Sequence, residues 1–178
     1  DGRGVLAGLT EVSEIISSKE VDGKRIPCEG ELYYRGYRIE DLTRGFSADK
    51  RFGFEETAYL LMFGQLPTAA DLRSFNGQLA FYRSLPTNFV RDVILKAPSQ
   101  DMMKTLARSV LTIGSYDERC DDISLPNVVR QCIDLLAIFP LLSVYSYQAY
   151  NYYKAGRSLY IHAPRPELST AENILALL

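Results

Sequence analysis

Few residues in this chain of 178 combine a chemically useful type with a useful spacing. His162 is the only histidine, so chemistry that needs two imidazoles within these residues is excluded. It lies between an apolar run and a proline-rich segment, and a general base would need a positioned partner and a pocket. We interpret His162 as a surface or packing histidine.

The three cysteines, Cys28, Cys120 and Cys132, do not form a recognisable site. Their odd number and the lack of a C-x-x-C spacing argue against a disulfide framework or a redox motif. A zinc site of these cysteines with His162 would need ligands scattered along the chain, whereas structural zinc ligands come in closely spaced pairs. We expect free thiols, which are typical of a reducing cytosol and favour a cytoplasmic protein.

Two pairs of adjacent acidic residues could suggest acid–base chemistry: Glu55 with Glu56, and Asp121 with Asp122. Neighbouring side chains on a helix point about 100° apart, so Glu55 and Glu56 are poorly placed to share a proton. We interpret them as solvated residues that offset a helix dipole. The glycines at 2, 4 and 8 miss the G-x-G-x-x-G spacing of a dinucleotide loop. Spacing alone therefore assigns no catalytic, substrate-binding, cofactor-binding or metal-binding residue.

The overall composition is that of a globular protein, with 47% hydrophobic and 24% charged residues. The formal net charge is -2, from 20 basic and 22 acidic residues. No basic excess is present to hold a phosphate backbone, so we expect no nucleic-acid partner. The uncharged run 135–153 approaches the about 20 residues that a bilayer span needs. It contains proline, serine, glutamine and asparagine, with tyrosines throughout its second half, so we predict a core or interface helix and no membrane partner.

The elements that would position these residues fall into two regions. Residues 1–38 contain short runs of β-formers and an Asp22-Gly23 hairpin turn, which predict two or three strands. Residues 39–178 follow a helical period. Helix boundaries are predicted at Gly64, at the caps Thr68, Ser99 and Ser124, and at Ala155 with Gly156; a shorter helix is expected from Pro86 to Lys96 and a short strand over Ser158–Ile161.

The buried stripes of these helices can be read from the spacing of apolar residues. We predict four such sets: Phe54, Ala58, Leu61 and Met62; Leu72, Phe75, Leu79 and Tyr82; Phe89, Val90, Val93 and Ile94; Met103, Leu106, Val110 and Ile113. A capping box, Ser169 to Glu172, opens a last helix with Ile174, Leu175 and Leu178 on one face. We expect this face to lack its natural cover and the chain to be the front part of a longer protein.

Three strings carry a family resemblance. Residues 32–42 resemble the L-x-Y-R-G-Y-x-I-E-D-L opening of citrate synthases. Residues 54–68 resemble the family's F-E-E-x-A-Y-L-L-x-x-G-x-L-P-T, and residues 168–175 its L-S-x-A-E-N-F-L. Their order and intervals match as well, so the resemblance covers nearly the whole chain. One departure is the string Gln100-Asp101-Met102, where many members carry His-Pro-Met.

The resemblance implies a mainly α, multi-helical large domain of the citrate synthase fold, truncated, with a short N-terminal β region. The implied activity is an acyltransferase of the tricarboxylic acid cycle that condenses oxaloacetate with acetyl-CoA, a substrate and not a cofactor. A 2-methylcitrate synthase, which uses propionyl-CoA, is the close alternative, and a non-catalytic helical interaction module is the distant one. The family's two catalytic histidines and its aspartate lie beyond residue 178, so we expect this chain alone to be inactive.

The resemblance also implies a homodimer. In the family, the helices that match Met103–Ile113 and Leu125–Ala155 pack across a two-fold axis. The second of these is apolar on too many sides to face a single core, and a helix that is apolar all round must be covered all round. We expect Leu142 to be one of the residues at that interface.

Overall fold

The computed structural model describes residues 10–178, so the glycines at 2, 4 and 8 lie outside the described residues. These residues are mainly helical, with a small antiparallel sheet, as predicted. The strands end at Arg38 and the first helix begins at Ile39. The chain divides into two compact units between Arg73 and Ser74.

The first unit begins with a sheet in the order β1-β2-β3, comprising Ser13–Val21, Lys24–Tyr34 and Tyr37–Arg38. Asp22 and Gly23 link β1 to β2 with φ values of 51° and 70°, which confirms the predicted hairpin turn. The antiparallel register is interrupted between Ile16 and Ser18, where a bulge shifts the pairing. Most side chains of β1 are exposed.

Two helices complete this unit, α1 (Ile39–Ala48) and α2 (Phe54–Phe63). Gly64 ends α2 in the left-handed conformation with a φ of 79°, as its sequence position predicts. The predicted stripe of α2 is partly wrong. Ala58 is buried, but Phe54 is exposed and Leu60 is fully buried in its place. Apolar residues occupy most of α2, so periodicity could not decide which of them faces inward.

Helix α3 (Ala69–Tyr82) contains the boundary between the two units. At its start, the Thr68 hydroxyl accepts a hydrogen bond from the Asp71 N–H (3.2 Å), and an Asp71 carboxylate oxygen accepts one from the Thr68 N–H (3.0 Å). This reciprocal pair confirms the predicted cap. Phe75 and Leu79 are buried as predicted.

The segment expected as a helix from Pro86 to Lys96 is a π-helix over Val90–Leu95. Phe89 and Ile94 are fully buried, which confirms two of its four predicted core positions. Helix α4 follows at Met102–Gly114. Its N-cap is Asp101 and not Ser99, because the Asp101 carboxylate accepts the N–H groups of Met103 and Lys104 while the Ser99 hydroxyl accepts that of Asp101.

The outward face of α4 contradicts one sequence prediction. Leu106 is buried, whereas Met103 is 71% exposed. Met103 lies on the same exposed side of α4 as Ala107 and Leu111. The stripe spacing was correct for a helix, but its first member points away from the core.

Helix α5 (Leu125–Ala155) has the predicted bounds and ends at Gly156 in the left-handed conformation. Ser124 occupies the N-cap position, yet its side chain makes no capping bond. The core of the second unit forms around α5, where Ile138, Leu141 and Leu142 are at most 2% exposed. The expectation that Leu142 lies at a subunit interface is therefore wrong, because this side chain is fully covered within its own chain.

After α5, residues 156–169 have no regular secondary structure, so the predicted strand over Ser158–Ile161 is wrong. Helix α6 (Thr170–Leu177) begins with the predicted capping box. Its buried residues are Thr170, Asn173 and Leu177. Since Leu175 and Leu178 are exposed, the predicted face is one residue out of register with the observed one.

Candidate functional site

The predicted chemical residues do not come together. His162 is exposed in the irregular segment after α5, where its ring lies parallel to that of Tyr160 at a centroid distance of 6.4 Å. Its backbone carbonyl accepts a hydrogen bond from the Tyr145 hydroxyl (2.7 Å). Burial raises the pKa of Tyr145, so this hydroxyl keeps its proton and remains a donor at neutral pH. His162 thus contributes to the fold through its backbone.

The cysteines are free and well separated along the elements. Cys28 is half-buried on β2, while Cys120, in the turn after α4, and Cys132, on α5, are exposed. Within residues 10–178, no group of three or more histidine, cysteine or acidic side chains is arranged to hold a metal ion. The cysteines therefore provide neither a cross-link nor a metal centre in the part of the chain that the structure describes.

The acidic pairs have structural roles, and one interpretation needs correction. Glu55 is buried, not solvated, whereas Glu56 forms an ion pair with Arg51 at 2.6 Å. Asp122 accepts the N–H of Ser124 (2.9 Å), the residue at the N-cap position of α5. The hydrogen bonds from Ser124 hold the pKa of Asp122 below its usual range.

A polar network fixes the turn between α4 and α5. Arg130 donates from its guanidinium to Asp117 and to the Asn127 side-chain oxygen, and the Gln131 amide also donates to Asp117 (3.1 Å). Asn127 donates to the carbonyls of Arg119 and Asp122, both at 2.8 Å. The Arg130 hydrogen bond lowers the pKa of Asp117 to about 2. The network ties an exposed turn to the first turns of α5.

A second network fixes the segment that leads into α6. Asn173 is fully buried, and its side chain bonds both the N–H and the carbonyl of Arg165, at 2.8 and 3.0 Å. It also donates to the carbonyls of Leu168 and Ser169. Arg83, at the end of α3, donates to the same Leu168 carbonyl at 2.9 Å. An irregular segment is thereby held at several points.

These two networks are what the sequence analysis missed. Asn173 directly precedes the apolar run Ile174–Leu178, and a polar residue one turn before the apolar position Leu177 was the available signal. Arg83 and Leu168 are far apart in sequence, so no local pattern could pair them. The networks position backbone, and within residues 10–178 they contain no nucleophile with an adjacent base of the kind that covalent catalysis requires.

Apolar surface is the most prominent unassigned feature of the second unit. On α4, Leu111 is 78% exposed. Met103, about two turns earlier on the same side, is 71% exposed. On α5, Val128, Leu135 and Phe139 form a row along the outer side, with exposures between 37% and 43%. Scattered exposed apolar residues are normal, but aligned rows on neighbouring helices indicate an interaction surface. We call the α4 and α5 rows together the outer rows.

The length and composition of α5 would also permit a membrane span, and it is the single helix among residues 10–178 for which this is true. A core helix of a globular protein passes the same test, and the inner side of α5 lies in the core of its unit.

Comparison with known proteins identifies the family to which this fold belongs. A family model described as "Citrate synthase, C-terminal domain" matches residues 2–178. The chain belongs to the citrate synthase family. It is 30% identical to 2-methylcitrate synthase 2 of Corynebacterium glutamicum over 98% of its own length and 40% of that protein. It is also 30% identical to the citrate synthase of Synechocystis, covering 97% of this chain and 39% of that one.

The fold comparison agrees with the sequence comparison. The crystal structure of citrate synthase from Pyrobaculum aerophilum matches with a TM-score of 0.73 and 29% identity, over 97% of this chain and 40% of that one. The chain therefore spans about 40% of the length of the citrate synthases and 2-methylcitrate synthases it matches. Together these matches confirm the family and the mainly α fold expected from the three strings.

Proposed function

We propose that this chain is the scaffold portion of a citrate synthase, an acyltransferase that joins acetyl-CoA to oxaloacetate and releases CoA. The family match over residues 2–178 carries this proposal. A structural neighbour from a thermophilic archaeon was solved with carboxymethyl coenzyme A and oxaloacetate, which supports the substrate class for the family. Proton abstraction from the thioester methyl group needs a placed base and donors for the enolate oxygen. We expect those groups outside residues 1–178.

A thiol-release assay tests the proposal in two parts. The 178-residue chain with acetyl-CoA and oxaloacetate should release CoA no faster than buffer. The complete protein, expressed from the coding sequence that contains this chain, should release CoA. The Synechocystis citrate synthase is the positive control. Turnover by the chain alone would show that it carries its own catalytic groups. A complete protein that folds but remains inactive would instead favour the helical interaction module.

The 2-methylcitrate synthases among the relatives support propionyl-CoA as a second candidate substrate. The same assay with propionyl-CoA decides between the two, since the preferred thioester gives the higher kcat/KM. The proposed reaction needs no resident cofactor in either case, because the acyl-CoA is consumed. The three free cysteines support a reducing, cytoplasmic location.

We propose further that the protein is a homodimer through α4 and α5. The outer rows support this, because a two-fold interface needs one self-complementary apolar surface. Phe139 belongs to the α5 row and is 43% exposed. Leu142 cannot report on the interface, since it lies in the core of its own chain.

Light scattering at micromolar concentration tests the dimer. Wild-type protein should be dimeric, Phe139→Glu should be monomeric, and Phe81→Glu is the matched control because Phe81 is exposed on α3 outside the outer rows. Cys132 lies on the α5 surface and should be protected from alkylation in the dimer, while the exposed Cys120 should react freely. A monomeric wild type in which both thiols react equally would contradict the proposal.

A further inference from the structure

Two places among residues 10–178 carry an aspartate or asparagine directly before a glycine, Asp22-Gly23 and Asn76-Gly77. In such a dipeptide the glycine backbone nitrogen can attack the side-chain carbonyl carbon and close a five-membered succinimide ring. Glycine has no Cβ to hinder this approach. Asparagine is intrinsically the more reactive of the two, because an ionised aspartate carboxylate is a poor electrophile. An unfolded chain would therefore react first at Asn76.

The fold protects the Asn76-Gly77 peptide. Both residues lie inside α3 (Ala69–Tyr82), where the Gly77 N–H donates to the carbonyl four residues earlier. Ring closure requires this nitrogen to give up its hydrogen bond and the backbone to leave the helical conformation. Phe75 and Leu79, on either side in sequence, are at most 3% exposed. Opening α3 at this point would therefore disturb buried packing as well as the helix.

The Asp22-Gly23 peptide is in the opposite situation. It forms the two-residue turn between β1 and β2, which is closed by the pairing of Val21 with Lys24. All residues from 21 to 27 are exposed. Among residues 10–178, no group accepts the Gly23 N–H, and apart from its chain neighbours no atom lies within 4 Å of the point where a Cβ on Gly23 would be. The tip of the hairpin can therefore open locally at little cost in free energy.

We propose that folding reverses the intrinsic order, so that Asp22-Gly23 is a site of spontaneous isoaspartate formation while Asn76-Gly77 is protected. In the first step, the Gly23 nitrogen bonds to Cγ of the protonated Asp22 side chain, and the carboxyl hydroxyl leaves with the N–H proton as water. Water then opens the ring. Attack at the main-chain carbonyl carbon of Asp22 leaves the chain running through the side chain, which is isoaspartate, and attack at Cγ restores aspartate. The water lost in the first step is regained in the second, so no other reactant is needed.

The modification acts on the hairpin itself. Isoaspartate adds a carbon to the main chain within a turn of two residues, and the length of such a turn fixes the register of its strands. We expect the pairing of Val21 with Lys24 to be lost. The product also presents the α-carboxylate of residue 22, which is the group that isoaspartyl methyltransferases modify, so an enzyme of this class is the partner that the site fits. The site does not depend on the proposed condensation reaction, because only the local backbone determines it.

Peptide mapping by mass spectrometry, after prolonged incubation of the 178-residue chain at mildly acidic pH, tests the site. We expect isoaspartate at position 22 of the folded chain and no loss of the Asn76 side-chain amide. The same incubation in urea should reverse this order. Methylation of the incubated chain by an isoaspartyl methyltransferase gives an independent measure. Asp22→Glu keeps the charge but cannot form the five-membered ring, so it should abolish the methylation.

Asp22→Asn provides the matched comparison, because it places the same asparagine–glycine chemistry at the hairpin tip and in the helix. In the folded chain, position 22 of this variant should lose its side-chain amide much faster than Asn76, and in urea the two rates should converge. A folded wild-type chain that forms no isoaspartate at position 22 would overturn the proposal. An Asp22→Asn chain in which Asn76 reacts as fast as position 22 while folded would overturn it as well.

Discussion

The inner and outer sides of α5 have similar composition and different surroundings. Leu141 and Val144 on the inner side are at most 4% exposed, while Leu135 and Phe139 on the outer side are 37% and 43% exposed. Both sides are rich in leucine and aromatic residues. Hydrophobic periodicity identifies a helix, but it does not show which apolar row covers the chain's own core and which one covers a partner.

The polar atoms separate the two sides more clearly. On the inner side, the Tyr145 hydroxyl donates to the His162 carbonyl and the Gln148 amide to the Leu178 carbonyl, both at 2.7 Å. On the outer side, the Ser143 hydroxyl donates to the Phe139 carbonyl, four residues earlier in the same helix. The inner side is thus hydrogen-bonded to segments that are distant in sequence. The Ser143 bond stays within α5 and leaves the outer side available for another surface.

The sharpest test of this contrast truncates one side chain on each side of α5. Leu141→Ala should reduce the free energy of unfolding by about 3–5 kcal/mol, because the substitution leaves a cavity in a closed core. Phe139→Ala should cost much less in the monomer, since part of its ring already contacts water. Urea denaturation at concentrations where the protein is monomeric measures both.

The matched comparison matters more than either value. A Phe139→Ala cost equal to that of Leu141→Ala would break the contrast and place the outer row in the monomer core. A Phe139→Ala cost that appears only at high protein concentration would strengthen it, because linkage to assembly makes stability concentration-dependent.

Buried polar anchoring should show the second largest effect. Asn173→Ala removes four hydrogen bonds and leaves backbone groups of Arg165, Leu168 and Ser169 without this partner, so we expect a loss of about 2–3 kcal/mol. Asn76→Ala, at an exposed position of α3, is the matched control and should change stability by less than about 0.5 kcal/mol. Thermal unfolding measures both variants. Equal melting temperatures for Asn173→Ala and Asn76→Ala would contradict the anchoring role.

Local sequence signals predicted local structure well. The Asp22-Gly23 turn, the Thr68 and Ser169 caps, and the ends of α2 and α5 at Gly64 and Gly156 all depend on residues close in sequence. The errors concern burial, which depends on distant residues: Leu142 was assigned to an interface, and Met103 to a core.

The candidate site also divides into features that local sequence predicts and features that depend on distant residues. The three strings in the sequence identified the family. The Asn173 network could not be read from the sequence, because it joins Arg83, after α3, to residues 165–173. The π-helix Val90–Leu95 follows an ordinary helical pattern of apolar residues, so spacing did not distinguish it from an α-helix.

A smaller effect of opposite sign is expected on the buried side of α4. Ser109 is fully buried, and its hydroxyl has no hydrogen-bond partner among residues 10–178. Ser109→Ala removes an unpaired hydroxyl at nearly constant shape and should stabilise the protein by about 1 kcal/mol. Ser115→Ala, at the exposed end of α4, should be nearly neutral. Destabilisation by Ser109→Ala would show that the hydroxyl has a partner in solution, and the inner surface of α4 would then be polar.

The smallest effect is a stability difference at the N-terminal end of α5 that disappears in acid. The Arg130 and Gln131 hydrogen bonds lower the pKa of Asp117 from 3.8 to about 2, so the folded state favours its ionised form. Its contribution to stability is complete above about pH 4 and is lost as the pH falls through about 2. Asp117→Asn should therefore unfold more easily than wild type at pH 6, with the gap closing between about pH 4 and 2. Glu118→Gln, the next residue in the same exposed turn, measures the effect of removing a carboxylate outside this network. A wild-type and Asp117→Asn gap that stays constant from pH 6 to pH 2 would show that the Asp117–Arg130 pair does not anchor this end of α5.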